Sequence, residues 1–498
     1  MAARTALCDR CVAVFQRCCG ACSSVPRSYQ RPGIPVTMKT VPSTDARPSP
    51  LLRLLPGAML LLLQLEQGPA AASAAAPPAV KWVKGYSFGK SESHPHAGVE
   101  CADGGFLVVG DGQDYSNETV VKRYIYVLKT DRAGNAQWQQ RFGDVAWNYG
   151  KFGIELADGS ILVAGAMSTT AQAGTHGQAA LQRTLLHLNG RTGALQQRLS
   201  LPNKGWEDNL KDGFMCVALG EDDNSVVATG FVGGENSTTG YVDEPMFLIG
   251  GGKPFAMKLS LKPRLAVTFD MTIEAPASAG FTPVQGMRLF HDAKRGAYIV
   301  SHTVRYLPNE NYQFGLTSIS SDGTVNWVQG YKAQPDDMHA SHPYALTQAL
   351  DGDYAIGGLA TVPEDQTCEG RLVKIDPKGG DLIFDRRFKS AEKDTNIECY
   401  GLQVTPDGGF ILTCGTGVEP ELHPEDPQSS KIWGALVHRT DKEGMKVWEK
   451  TYTDRMKDDA GEYIVTTRSG EYAVYIDAQS WGSPSTGGNF AIMLLNAD

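Results

Sequence analysis

Gly98-Val99-Glu100-Cys101-Ala102-Asp103-Gly104-Gly105-Phe106-Leu107-Val108-Val109-Gly110 reads as two short strands joined at Asp103-Gly104. An Asp-Gly pair between apolar runs is a strong hairpin signal, because glycine accepts the positive φ that a tight turn needs. The same phrase returns at Gly153-Ile154-Glu155-Leu156-Ala157-Asp158-Gly159-Ser160-Ile161-Leu162-Val163-Ala164-Gly165 and in Gly401 to Gly415 around Asp407-Gly408. Tyr344 to Gly357 matches it around Asp351-Gly352. Weaker copies run from Phe214 to Gly230, Met287 to His302 and Tyr463 to Asp477. The copies stand about 55–70 residues apart, longer than a minimal repeat of this kind and so implying loops.

A second phrase follows the hairpin. Tyr126-Val127-Leu128-Lys129-Thr130-Asp131 leads through Gly134 to Trp138 and Phe142, and Leu436-Val437-His438-Arg439-Thr440-Asp441 leads through Gly444 to Trp448 and Tyr452. Asp322-Gly323 leads to Trp327 and Tyr331, and Asp376 through Gly379 to Phe384 and Phe388. Each copy therefore supplies four strands, the content of one propeller blade. The recurring aromatics are read as packing between blades rather than as ligand-stacking platforms. The chain ends in the third-strand pattern Ile492-Met493-Leu494-Leu495, with no fourth strand after it. Val80-Lys81-Trp82-Val83-Lys84-Gly85-Tyr86 is a fourth strand with no repeat before it. The expected fold is all-β: a single seven-bladed β-propeller of four-stranded blades, its ring closed by the N-terminal strand. Closure removes the sheet edges that would otherwise invite aggregation.

These phrases resemble the tandem repeats of bacterial exported propellers, with a D-G-G hairpin, an l-v-K-x-D-x-x-G turn and a W-x-x-x-Y/F strand, grouped as quinoprotein-like or delta-60-type. The resemblance covers roughly residues 80–498 and implies architecture only, since such folds host enzymes and binding modules alike. No residue set matches a quinone-cofactor site, so that cofactor is not expected. Gly-x-Ser-x-Gly, His-Glu-x-x-His and dinucleotide fingerprints are absent, and no nucleotide cofactor is expected.

Residues 1–76 form a leader and 77–498 the propeller. The leader holds eight Lys or Arg against three acidic residues, then the apolar run Met59-Leu60-Leu61-Leu62-Leu63 and the small-residue stretch Ala71 to Ala76. That order fits a secretory signal. Some fifty residues precede it, so Met38 or Met59 as the start, or an organelle-targeting leader, are alternatives. Arg53, Pro56 and Gln64 interrupt the apolar stretch, so a stable membrane span is not expected. Asn117-Glu118-Thr119 and Asn236-Ser237-Thr238 are glycosylation acceptors that suit a secreted or extracytoplasmic protein, with an organelle lumen as the alternative. The whole chain carries a net charge of −9. The body after the leader is acidic without a basic stripe, which argues against nucleic acid as a partner.

Cys8, Cys11, Cys18, Cys19 and Cys22 lie in the leader without the histidines of a zinc module. Of the body cysteines, Cys368 is expected to bridge to Cys399 or Cys414, or else all five are buried thiols.

Histidine is scarce, at ten residues, so its grouping directs the search for a site. His94-Pro95-His96 precedes the innermost strand of the first blade, and His339-Ala340-Ser341-His342 that of the fifth. Imidazoles at this spacing can share a divalent metal such as zinc, with Asp337, or else Glu100 or Asp336, as carboxylate partner, while calcium would need the oxygen ligands of a carboxylate ring at the channel mouth. Acidic residues also recur along the inner strands, among them Glu155, Asp212, Glu398, Asp458 and Asp459. They are expected to bond turn amides between blades, or to ring the channel mouth. Two functions follow: a monomeric ligand-binding or protein-interaction propeller with a protein or glycan ligand, or a metal-dependent enzyme with a His/carboxylate site at the channel mouth. The sequence does not decide whether the chain is catalytic.

Overall fold

The computed structural model describes residues 76–497, apart from 90, 115–121, 144–146, 169–180, 203–210, 235–251, 307–310, 334–340, 363–366, 391–394, 419–432, 454–456 and 482–487. Its regular structure is almost wholly β. Strand β1 (Val80–Tyr86) comes first. Antiparallel meanders of four follow. The first is β2 (Ser91–Glu100), β3 (Phe106–Asp114), β4 (Lys122–Thr130) and β5 (Ala136–Phe142). The second is β6 (Asn148–Glu155), β7 (Ile161–Ser168), β8 (Leu181–Leu188) and β9 (Leu195–Ser200); the third is β10 (Lys211–Leu219), β11 (Ser225–Gly234), β12 (Lys253–Ser260) and β13 (Ala266–Thr272). Next come β14 (Phe281–Asp292), β15 (Ala297–Tyr306), β16 (Asn311–Ser320) and β17 (Val325–Tyr331), then β18 (Ser341–Gln348), β19 (Tyr354–Val362), β20 (Thr367–Ile375) and β21 (Leu382–Phe388). The sixth meander is β22 (Asn396–Val404), β23 (Phe410–Gly417), β24 (Gly434–Thr440) and β25 (Lys446–Thr451). The chain finishes with β26 (Asp459–Thr466), β27 (Tyr472–Ala478) and β28 (Asn489–Leu495).

The second and third meanders join into one eight-stranded sheet through a single parallel bridge, Lys211 to Leu181. The last three strands take β1 as their fourth, in the order β1-β28-β27-β26. Val83 lies opposite Met493 and Tyr86 opposite Phe490. The first strands of successive meanders touch, β2 on β6, β6 on β10, and so on through β22 on β26, and β26 also touches β2. Among the described residues no helix is long and apolar enough to cross a membrane.

Sequence explains the elements locally. Gly104, Gly159, Gly352, Gly408 and Gly470 all take φ near +80 to +93° in the first hairpin turn. Asp103 accepts the Gly105 amide at 2.9 Å and Asp158 the Ser160 amide at 3.0 Å, so the aspartate holds the turn while the glycine supplies its backbone angle. Second and third strands such as β7 and β24 are buried along their whole length, whereas the fourth strands β5 and β21 are exposed or half-buried around one buried aromatic. A strand sandwiched on both faces reads as a continuous apolar run, and a half-covered one alternates.

The fourth-strand aromatics pack between meanders, as their repetition implies. A Cβ on Gly134 would meet the Trp82 ring at 2.8 Å, one on Gly193 would meet Trp138 at 2.6 Å, and one on Gly380 would meet Trp327 at 2.9 Å. The Tyr86 hydroxyl donates to the Gly134 carbonyl at 2.6 Å, and Tyr331 does the same to Gly380 at 2.8 Å. Trp82, Trp138 and Trp327 are thus each seated on the turn glycine of the following meander.

One cysteine expectation is corrected. The disulfide joins Cys399 to Cys414, directly opposite residues of β22 and β23, while Cys368 is a buried free thiol, as are Cys101 and Cys216. Register decides the pairing: the two bridged side chains face each other across one hairpin.

Candidate functional site

Each first strand carries a β-bulge at the same place. Register shifts between Pro95 and Ala97, Gly150 and Phe152, Phe214 and Cys216, and Gly286 and Arg288. It shifts again between Pro343 and Ala345, Cys399 and Gly401, and Gly461 and Tyr463. The residues set out of pairing are His96, Lys151, Met215, Met287, Tyr344, Tyr400 and Glu462. All are buried, none more than 5% exposed. Bulges re-aim a side chain and concentrate near functional sites.

The bulged residues divide by chemistry. Met215, Met287, Tyr344 and Tyr400 share one buried cluster with Phe231, Leu359 and Cys368. The Tyr344 and Tyr400 rings are 4.9 Å apart, and Tyr400 donates its hydroxyl to Glu398. His96 and Lys151 belong to a charged network instead. Lys151 Nζ is 3.0 Å from His96 Nε2 and 3.1 Å from Asp111 Oδ2. Asp111 Oδ2 is also 2.9 Å from His96 Nε2, and its Oδ1 accepts Arg123 Nε at 2.7 Å. Burial pushes the Asp111 carboxyl up, but Arg123, Lys151 and His96 outweigh it and hold the group well below the usual carboxylate range.

The residues that follow the bulges fill the next level. Arg288 lies over the Phe152 ring at 5.4 Å and the Tyr463 ring at 5.8 Å, and those rings meet edge to face at 5.9 Å. Arg288 Nη1 donates to the carbonyls of Met215 (3.2 Å) and Met287 (3.1 Å), both bulged residues. Burial pushes the Tyr463 hydroxyl up to about 12, with Arg288 opposing.

The structure places His94 and His96 inside β2 and His342 inside β18, rather than ahead of these strands. His94 Nδ1 contacts Asp477, and its Nε2 is 3.3 Å from Glu92. His342 stacks between Tyr312 and Tyr344, with ring centroids 6.1 and 6.4 Å away. His339, Asp337, Asn117 and Asn236 lie outside the described residues. Among the described residues no group of three or more His, Cys, Asp or Glu is arranged to hold a metal ion. Near His94, burial followed by the charges of Asp477 and Asp459 raises the Asp458 carboxyl to about 7. Other inner-strand acids serve turns: Glu155 accepts the Ala102 amide, Glu100 the Arg468 amide at 2.8 Å, and Asp459 the amides of Gln479 and Ser480.

Five bulge residues could have been read from sequence. His96, Lys151, Tyr344, Tyr400 and Glu462 precede the turn glycines 104, 159, 352, 408 and 470 by the same interval. Aligning the copies on their Asp-Gly turns brings these positions into one column.

No family model matches the chain, and no curated protein matches it. Solved structures similar to it include the extracellular domain of what is described as a hybrid two-component system of B. thetaiotaomicron (11% identity, 85% of this chain, TM-score 0.42). This chain spans 40% of that protein's length. The Dos1 propeller matches at 10% identity over 84% of this chain and 96% of its own, with a TM-score of 0.40. Quinohemoprotein alcohol dehydrogenase from Comamonas testosteroni matches at 11% over 84% and 76%, with 0.39. The propeller reading rests on strand order and the repeated bulges, not on these likenesses.

Proposed function

We propose that the protein is an exported, monomeric ligand-binding or protein-interaction module, built as one seven-bladed β-propeller over residues 77–498, with its site where the first strands converge. The quinoprotein-like or delta-60-type repeat family is the proposed kinship, for architecture alone. Two observations support seven blades in one closed ring. First strands touch in cyclic order, including β26 on β2, and β1 supplies the missing strand of the last meander. The observation that carries the function is the set of buried bulge residues: chemically diverse side chains, including a lysine, a histidine and a glutamate, gathered at equivalent points of successive first strands. Packing alone would favour apolar residues at such buried places.

The metal-enzyme alternative keeps His94, His96 and His342 as candidates, with His339 and Asp337. Elemental analysis of the purified protein separates the two readings. The binding-module reading expects less than stoichiometric zinc or calcium. A stoichiometric metal lost on changing His96 and His342 to Ala would replace it with the enzyme.

A further inference from the structure

Buried arginines are expensive to leave uncompensated, and this protein compensates nearly all of them. Five arginines are buried among the described residues: Arg123, Arg183, Arg288, Arg371 and Arg439. Arg123 pairs with Asp111, Arg183 with Asp270, Arg371 with Asp385 and Arg439 with Asp407. Arg288 alone has no carboxylate partner among the described residues. It is 7% exposed and its buried Nε has no hydrogen-bond partner. Its Nη1 is occupied by two backbone carbonyls.

The neighbourhood comes from several blades. Arg288 is on β14, Phe152 on β6 and Tyr463 on β26, so the guanidinium reaches residues of meanders that are not its own neighbours. Beside it stand Cys216, whose thiol burial pushes up, and the Met215–Met287 pair. One cation and one phenol among aromatic faces and methionines supply too few donors for a dianion such as phosphate. They suit a single negative charge on an apolar body.

We infer that Arg288 anchors a carboxylate-binding site on the propeller axis, which takes a small carboxylate with an aliphatic or aromatic body. The carboxylate pairs with the guanidinium edge near the Tyr463 hydroxyl, and the body lies against Met215, Met287 and Phe152. The ligand completes the one buried arginine without an acid among the described residues. This inference rests on the binding-module reading and names its ligand class.

The test titrates the purified full chain with phenylacetate and octanoate by calorimetry and thermal shift. Phenylacetamide and octanol are the neutral counterparts, and inorganic phosphate is the bare anion. The carboxylates are expected to bind and raise Tm, with their neutral counterparts at least about tenfold weaker, or 1.4 kcal/mol. Arg288→Gln should lose about tenfold or more, and Arg288→Lys less. If Arg288→Gln does not fold, Tyr463→Phe and Met215→Trp carry the test: the first weakens the carboxylates selectively, the second blocks all ligands. Carboxylates that fail to bind wild type at about 10 mM, or that bind Arg288→Gln equally well, overturn the inference. Phosphate binding as tightly as the carboxylates also overturns it. Ligands blocked by Met215→Trp but indifferent to charge and to Arg288 would sink the carboxylate and leave the axial module standing. Met215→Trp without effect on any ligand that binds would remove the axial site itself.

Discussion

Asp111 is fully buried and answers Arg123, Lys151 and His96 at once, which makes its replacement the sharpest perturbation of the charged network. Asp111→Asn keeps the shape but removes the negative charge that the buried Arg123 and Lys151 share. Breaking a buried ion pair by removing one partner costs about 3–5 kcal/mol. That is about a fifth or more of the stability of a typical domain. The pH dependence carries the diagnosis. The folded-state pKa of Asp111 is depressed, so its contribution is complete above the unfolded carboxylate value, near 3.8, and is lost as pH falls through the lower folded value. Urea unfolding should therefore separate wild type and Asp111→Asn by about 3–5 kcal/mol at pH 7, with the gap narrowing below about pH 4. Adding both Arg123→Met and Lys151→Met to Asp111→Leu should recover much of the loss, because apolar replacements then remove both buried cations along with their shared partner. A gap under about 1 kcal/mol at pH 7, or one that persists unchanged at pH 2, would refute the account of Asp111 as the counter-charge of this network.

Other outcomes follow from the same geometry. Tyr331→Phe leaves the Gly380 carbonyl without its buried donor and should cost about 1–2 kcal/mol in chemical denaturation. Asp458 has a folded value raised to about 7, so its contribution is complete at low pH and is lost as pH rises from about 4 through 7. Asp458→Asn should flatten that fall and raise Tm at pH 8, and an unchanged Tm–pH profile would discard it. Reducing Cys399–Cys414, or Cys414→Ser, should cost about 3 kcal/mol for a loop of this length, read from urea midpoints with and without reductant. Secretion from a eukaryotic host should yield a mature terminus between about Ser73 and Val80 and glycan on Asn117 or Asn236, checked by peptide mass mapping.

The hairpins were legible because Asp-Gly turns are local chemistry: Asp103 and Gly104 need only their immediate neighbours. The partnership of β1 and β28 was legible for another reason, since Trp82 and Tyr86 repeat the spacing of Trp327 and Tyr331. The bulged residues other than His96 were missed because their identities differ from copy to copy, His96 against Met215 against Tyr400. Only their interval to the turn is shared. Histidine scarcity pointed to His94 and His96, but contact order decided what those rings meet. His96 finds Asp111 on the neighbouring strand and Lys151 on the next meander, a pairing no local pattern contains. Arg288 was hidden likewise, since its want of an acid among the described residues depends on every strand around it.

The closed ring is the claim on which the axial site depends, and a disulfide across its seam tests it most directly. Val83 and Met493 are register partners of β1 and β28, near opposite ends of the chain. In the chain carrying Val83→Cys and Met493→Cys, mild oxidation should form an intramolecular bridge. It should speed migration on a non-reducing denaturing gel and raise the unfolding midpoint relative to the reduced protein. Failure to bridge, or bridging only between molecules, would contradict the closure and with it the convergence of the bulged residues on one axis.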